Sequence, residues 1–93
     1  MKLNRKLTTG QLQDYFDGYR ELTEEYEGKN DPFYSAAYVL IPAIESGWYE
    51  DVPKDGAKEL VRELDPLELW PLVEKVNELY EKYSPPAGPD PNS

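Results

Sequence analysis

The chain has 93 residues with 39% hydrophobic content and a formal net charge of −9, from 19 acidic and 10 basic side chains. One domain is the natural count, with a small core, because a chain this short buries only roughly 60–65% of its unfolded surface. The absence of Cys and His excludes disulfides, thiolate nucleophiles, Cys-ligated zinc and the commonest general base near neutral pH. The negative balance disfavours nucleic acid as a direct ligand and anionic membrane surfaces, since both need a cationic face.

The basic start Met1-Lys2-Leu3-Asn4-Arg5-Lys6-Leu7 is not followed by the apolar stretch of a signal peptide. No run reaches the ~20 apolar residues of a membrane span. A soluble, cytoplasmic protein is therefore expected. Thr8-Thr9-Gly10-Gln11 reads as a capping box, in which the Thr8 hydroxyl accepts the Gln11 amide and the Gln11 side chain reaches back. Leu12, Tyr15, Phe16, Tyr19, Leu22 and Tyr26 then recur on one helical face, opposite Asp14, Asp17, Arg20, Glu21, Glu24 and Glu25. The spacing predicts a helix over about 9–26, with Gly28 as a left-handed stop.

Asp31-Pro32 combines an N-cap with proline at the first helical position. Phe33, Ala36, Ala37, Leu40, Ile41 and Ile44 follow at helical spacing, and Gly47 ends the helix. Pro42 removes the bond to the Tyr38 carbonyl, so a kink or break near Tyr38–Ile41 is expected. Trp48 is expected to fold back on Ile44 and Ala43.

The polar connection Glu50 to Asp55 leads to a short amphipathic helix over about 56–64, carried by Ala57, Leu60, Val61 and Leu64. Asp65-Pro66-Leu67-Glu68 repeats the Asp-Pro start and has capping-box spacing. Leu69, Leu72, Val73, Val76, Leu79, Tyr80 and Tyr83 form the last stripe. Trp70-Pro71 suggests that this start is a separate turn, with the main helix opening at Pro71. The segment Ser84 to Ser93 holds four of the nine prolines and reads as a flexible tail. The expected fold is therefore all-α: a compact bundle of about four helices in a single domain over 1–83, with a disordered Pro-rich tail over 84–93.

Catalytic signals are sparse. The serines Ser35, Ser46, Ser84 and Ser93 lie in no nucleophile-elbow sequence, and no glycine-rich phosphate loop occurs. The carboxylate pairs Glu24-Glu25 and Glu50-Asp51 fall on predicted solvent faces, away from any converging set of groups. No calcium-loop pattern of alternating oxygen ligands is present. The chain is read as non-enzymatic, with no catalytic, metal or cofactor-binding residues.

The aromatics are the better functional signal, with eight Tyr, two Trp and two Phe. Tyr34, Tyr38 and Tyr49 stand outside the core stripes and are candidates for an exposed aromatic patch. Trp48 and Trp70 lie at or near helix ends, where large side chains either anchor partners or close a small core. The partner-binding set is therefore Tyr34, Tyr38, Trp48, Tyr49 and Trp70.

The order of pieces also carries a resemblance. A helix opens near Leu7-Thr8-Thr9-Gly10-Gln11-Leu12, and an apolar helix ends Ala43-Ile44-Glu45-Ser46-Gly47-Trp48. Leu64-Asp65-Pro66-Leu67-Glu68-Leu69 follows, then a helix ending Val76-Asn77-Glu78-Leu79-Tyr80 and the tail start Ser84-Pro85-Pro86. Over roughly residues 7–86 this resembles the small acidic proteins of tailed-phage and prophage tail modules, the tail assembly chaperone-like group. The resemblance implies a non-enzymatic protein that binds an aggregation-prone, helix-forming partner such as a tape-measure protein. Gly47, Trp48, Asp65 and Pro66 would be its structural marks. Two other readings stand beside it: an acidic inhibitor or nucleic-acid mimic that occupies a cationic site on a partner, and a homo-oligomerising structural subunit.

Overall fold

The computed structural model describes residues 1–29 and 31–83, which form four helices: α1 (Thr9–Glu25), α2 (Pro32–Glu45), α3 (Ala57–Glu63) and α4 (Pro66–Tyr83). The expected tail over 84–93 lies outside the described residues. The hub is α2, which packs against each of the other three helices. Its composition requires this arrangement. Ala36, Ala37, Leu40, Ile41, Pro42, Ala43 and Ile44 are all buried, and a helix apolar around most of its circumference must be covered from several sides. By contrast, α1 and α4 each bury only a narrow stripe: Tyr15 and Leu22 on α1, Leu69 and Val76 on α4.

Local chemistry sets most helix ends as the sequence predicts. The Thr8 Oγ1 accepts the Gln11 amide at 3.1 Å, and the Thr8 amide donates to Gln11 Oε1 at 2.9 Å. The Asp31 Oδ1 accepts the Phe33 amide at 2.8 Å. Past α2, Gly47 takes φ +79°. The Trp48 amide donates to Ala43 O at 3.0 Å and the Gly47 amide to Ile44 O at 3.1 Å, the paired bonds of a Schellman motif. The Asp65 Oδ1 accepts the Leu67 amide at 2.9 Å. Glu68 contributes its backbone amide, which donates to Asp65 O at 2.8 Å, so the expected reciprocal box is replaced by a simple Asp cap.

Both internal prolines depart from expectation. The helix α2 runs unbroken through Pro42, and α4 runs through Pro71 without a separate opening turn. Each proline forfeits a backbone bond, to the Tyr38 or Leu67 carbonyl, at about 3 kcal/mol in a helix interior. For Pro42 the compensation is visible. Its side chain is fully buried, and it lies so close to Gly18 that a methyl group there would sit 3.2 Å from Pro42 Cβ and 3.6 Å from its Cα. The ring packs directly on the α1 backbone, which explains a glycine in the middle of α1. Pro71 lies in the second turn of α4 and is exposed.

The basic N-terminal segment is not a free arm. Leu3 and Tyr49 form an isolated antiparallel bridge, flanked by hydrogen bonds from the Asn4 amide to Trp48 O and from the Glu50 amide to Lys2 O, each 2.8 Å. Asn4 Nδ2 also donates to Gly47 O at 2.9 Å. The Tyr83 hydroxyl accepts the Leu7 amide at 3.2 Å, which fastens the end of α4 to the start of the chain.

Candidate protein-docking site

The five aromatics singled out by the sequence separate into three environments. Trp48 is 0% exposed and stacks on Tyr15 with ring centroids 4.4 Å apart. Its Nε1 donates to the Gln11 carbonyl at 3.2 Å. It closes the core and offers no surface to a partner. The Schellman turn drives this placement, because it directs the residue after Gly47 back over the last helical turn.

Tyr49 is 4% exposed and likewise fails as a surface residue. The bridge to Leu3 fixes its backbone, and its side chain points into the molecule. Its hydroxyl is buried without a hydrogen-bond partner among the described residues. Burial first, then the nearby Asp51 charge, pushes its pKa from 10.0 to about 12. Burial also raises Tyr15, reinforced by Tyr19, Tyr80 and Tyr49. Both tyrosines titrate higher in the folded chain than in the unfolded one. Their contribution to stability is therefore complete below about pH 10 and is lost as pH climbs through the folded values. Replacing Tyr49 by Phe removes an unsatisfied buried hydroxyl. The expected outcome is a gain of about 1 kcal/mol in urea unfolding at pH 7, with a shallower loss of stability between pH 10 and 12.

Tyr34 and Tyr38 are half-buried and belong to a row of rings across the α1–α2 seam. The centroid separations are 6.2 Å for Tyr19–Tyr38, 5.8 Å for Tyr26–Tyr38 and 4.6 Å for Tyr26–Tyr34. The Lys29 Nζ caps the row 5.6 Å above the Tyr34 ring. Trp70 is the one member of the set that remains exposed, at 42%, and it stacks on Phe33 at 6.3 Å with an interplanar angle of 22°.

Phe33 is the residue that periodicity misplaced. It continues the α2 core stripe, yet it is 47% exposed. It sits in the first turn of α2, past the edge of the core, where it meets the exposed Trp70 of α4, and the Asp31 cap fixes that turn. Its position one residue after Asp-Pro was the available clue. Leu67, at the equivalent position after Asp65-Pro66, is 84% exposed for the same reason.

Phe33 and Tyr34 border a groove of about 680 Å³ between the start of α2, α3 and the start of α4. Its apolar floor includes Tyr26, Ile41, Leu64 and Leu69. Charged residues form the rim: Glu25, Asp31 and Glu59 against Lys58 and Arg62. The Lys58 ammonium bonds Glu25 at 3.1 Å, and that hydrogen bond holds its pKa above the usual lysine value. Asp51, on the far side of the molecule, is lowered chiefly by the Lys2 backbone amide. Each shift deepens the ionisation state that the group already has near neutral pH. This is the signature of structural and surface contacts and not of an acid poised for proton transfer.

Among the described residues no group of three or more His, Cys, Asp or Glu side chains is placed to hold a metal ion, and no helix is long and apolar enough to cross a membrane. Compared with protein-family models, curated proteins and solved structures, the chain matches none.

Proposed function

We propose that this chain is a non-enzymatic protein-interaction module of the assembly-chaperone kind, which shields a helical segment of a partner in the groove between α2, α3 and α4. The observation that carries this reading is Phe33, which lines the groove half-exposed and stacks on the exposed Trp70. Large apolar side chains held out in water by a capped helix start are costly unless something covers them. An amphipathic helix fits the shape: its apolar stripe lies along Phe33, Tyr34 and Leu69, and its basic flanks face Glu25, Asp31 and Glu59. A tape-measure-like protein, rich in helices that aggregate when unpartnered, is the kind of partner the motif resemblance proposes.

Trp70 supplies its own reporter. Trp48 is already dry, so a blue shift of tryptophan emission on adding a Trp-free amphipathic peptide with a Leu stripe and Lys/Arg flanks reads Trp70 alone. The double variant Phe33→Ala/Trp70→Ala, followed by calorimetry, is expected to weaken that peptide by about ten-fold or more while unfolding stability stays within about 1 kcal/mol. Unchanged affinity rejects the groove as the docking site.

One observation favours the second reading, an acidic mimic. Asp14, Asp17, Glu21 and Glu24 are exposed along one side of α1, about 4.5–6 Å apart along the helix axis. Salt separates the two. Affinity for a partner held by this row falls steeply between low and high ionic strength, whereas groove binding, which also rests on apolar contacts, falls less steeply.

A further inference from the structure

The opposite end of α4 forms a second groove, of about 500 Å³, between that helix and the N-terminal segment. Leu3, Tyr49, Leu72 and Leu79 supply its apolar surface. Its charged lining runs against the rest of the molecule: Lys2, Lys75 and Lys82 against a single carboxylate, Glu78, in a chain of net charge −9. Lys2 has a partner in Glu50, 3.7 Å away, and Lys82 lies 5.8 Å above the Tyr83 ring. Lys75 makes no ion pair among the described residues. Tyr49, whose buried hydroxyl lacks a partner, is part of the same lining.

The backbone adds a directional feature. The bonds flanking the Leu3–Tyr49 bridge join Asn4 to Trp48 and Lys2 to Glu50. In an antiparallel pair of this kind the residue between two such bonds turns its own N–H and C=O to the outer edge. The Leu3 amide and carbonyl therefore face away from Tyr49, and neither makes a hydrogen bond among the described residues. An open edge with a free donor and acceptor is a template for one more strand.

From these features we propose that this groove binds an acidic, extended peptide segment of a partner protein. The segment pairs with the outer edge of Lys2–Asn4 and turns one face of side chains to α4, where apolar residues meet Leu72 and Leu79 and carboxylates two positions away meet Lys75 and Lys82 on the same stripe. The site is distinct from the groove at the start of α4 and selects the opposite ligand charge.

The test uses the full chain and a fluorescein-labelled peptide of the repeat Thr-Val-Thr-Glu, which puts Val and Glu in turn on one strand face, read by anisotropy and by amide chemical shifts. The expected result is saturable binding, with shifts concentrated at Leu3, Asn4, Lys75 and Lys82. Affinity should fall about ten-fold in Lys75→Glu/Lys82→Glu and less in Lys75→Gln/Lys82→Gln. Both lysines are exposed, and unchanged helicity by circular dichroism shows that the variants fold. Lys58→Glu/Arg62→Glu, at the other groove, should leave affinity unaltered. A peptide N-methylated on the residues that donate to the edge should bind at least several-fold more weakly. The proposal is overturned by no saturation at about 1 mM peptide, by equal affinity in the Lys75/Lys82 variants, or by equal binding of the N-methylated peptide.

Discussion

Replacing Trp48 by Ala is expected to lower unfolding stability by about 3–5 kcal/mol, the range for truncating a fully buried large aromatic. Three losses combine at this one position. The indole is 0% exposed, so its removal opens a cavity at the centre of the molecule. The Tyr15 ring loses a stacking partner at 4.4 Å. The Gln11 carbonyl loses the Nε1–H that it accepts at 3.2 Å and keeps only its bond within α1, a loss of about 1 kcal/mol within that sum. A domain of this size has a total stability of only about 5–10 kcal/mol. The variant should therefore be largely unfolded by modest urea, with the midpoint from circular dichroism falling to a fraction of the parent value. Trp70→Ala is the internal contrast: an exposed indole whose truncation should move the same midpoint little. If Trp48→Ala unfolds like the parent, Trp48 does not occupy the core.

Gly18→Leu is the second large effect, and it probes the seam between α1 and α2. On intrinsic helix preference alone, the substitution should stabilise α1 by about 0.8 kcal/mol. The tertiary structure reverses the sign. A methyl group at this position already meets Pro42 Cβ at 3.2 Å and Pro42 Cα at 3.6 Å. A leucine cannot be accommodated by rotating its neighbour, because that neighbour is a ring locked to a helix backbone. The two helices must separate, and overpacking of this kind costs about 1–3 kcal/mol. The net expectation is a loss of about 1 kcal/mol in denaturant unfolding. Gly10→Ala, in the first turn of the same helix, is the control. Its new methyl meets only Thr8 Oγ1 at 3.8 Å, so stability should hold or rise slightly. Equal responses at the two positions would remove the Gly18–Pro42 contact as the reason for the glycine.

The candidate site was only partly legible. Trp70 was a candidate because it lies near a helix start, a position that suits a partner anchor and a core plug equally well, and the structure leaves it exposed. Its stacking partner Phe33 was assigned to the core, since periodicity records which side of a helix is apolar and not how far along the helix the neighbours extend. Tyr49 shows the opposite error. It fits no helical stripe, so it read as exposed, but a strand-like bridge to Leu3 buries it. The row formed by Tyr19, Tyr38, Tyr26 and Tyr34 draws on both α1 and α2, and no window along the chain contains such a pairing.

What the sequence determined by itself was where most of the helices start or stop. Thr8 with Gln11, Asp31-Pro32, Gly47 and Asp65-Pro66 act on backbone groups within a few residues of themselves, so their chemistry is complete in the local sequence. Four amphipathic or apolar helices around one small core follow from those ends and the stripes between them. Only the tertiary structure decided which faces meet. It placed Pro42 on Gly18, closed the core with Trp48, drew Lys2–Asn4 alongside Trp48–Glu50 and left Phe33 and Trp70 stacked in water. Those outcomes depend on contacts between residues far apart in the chain, where shape, hydrogen bonds and desolvation are settled together and no local pattern specifies the partner.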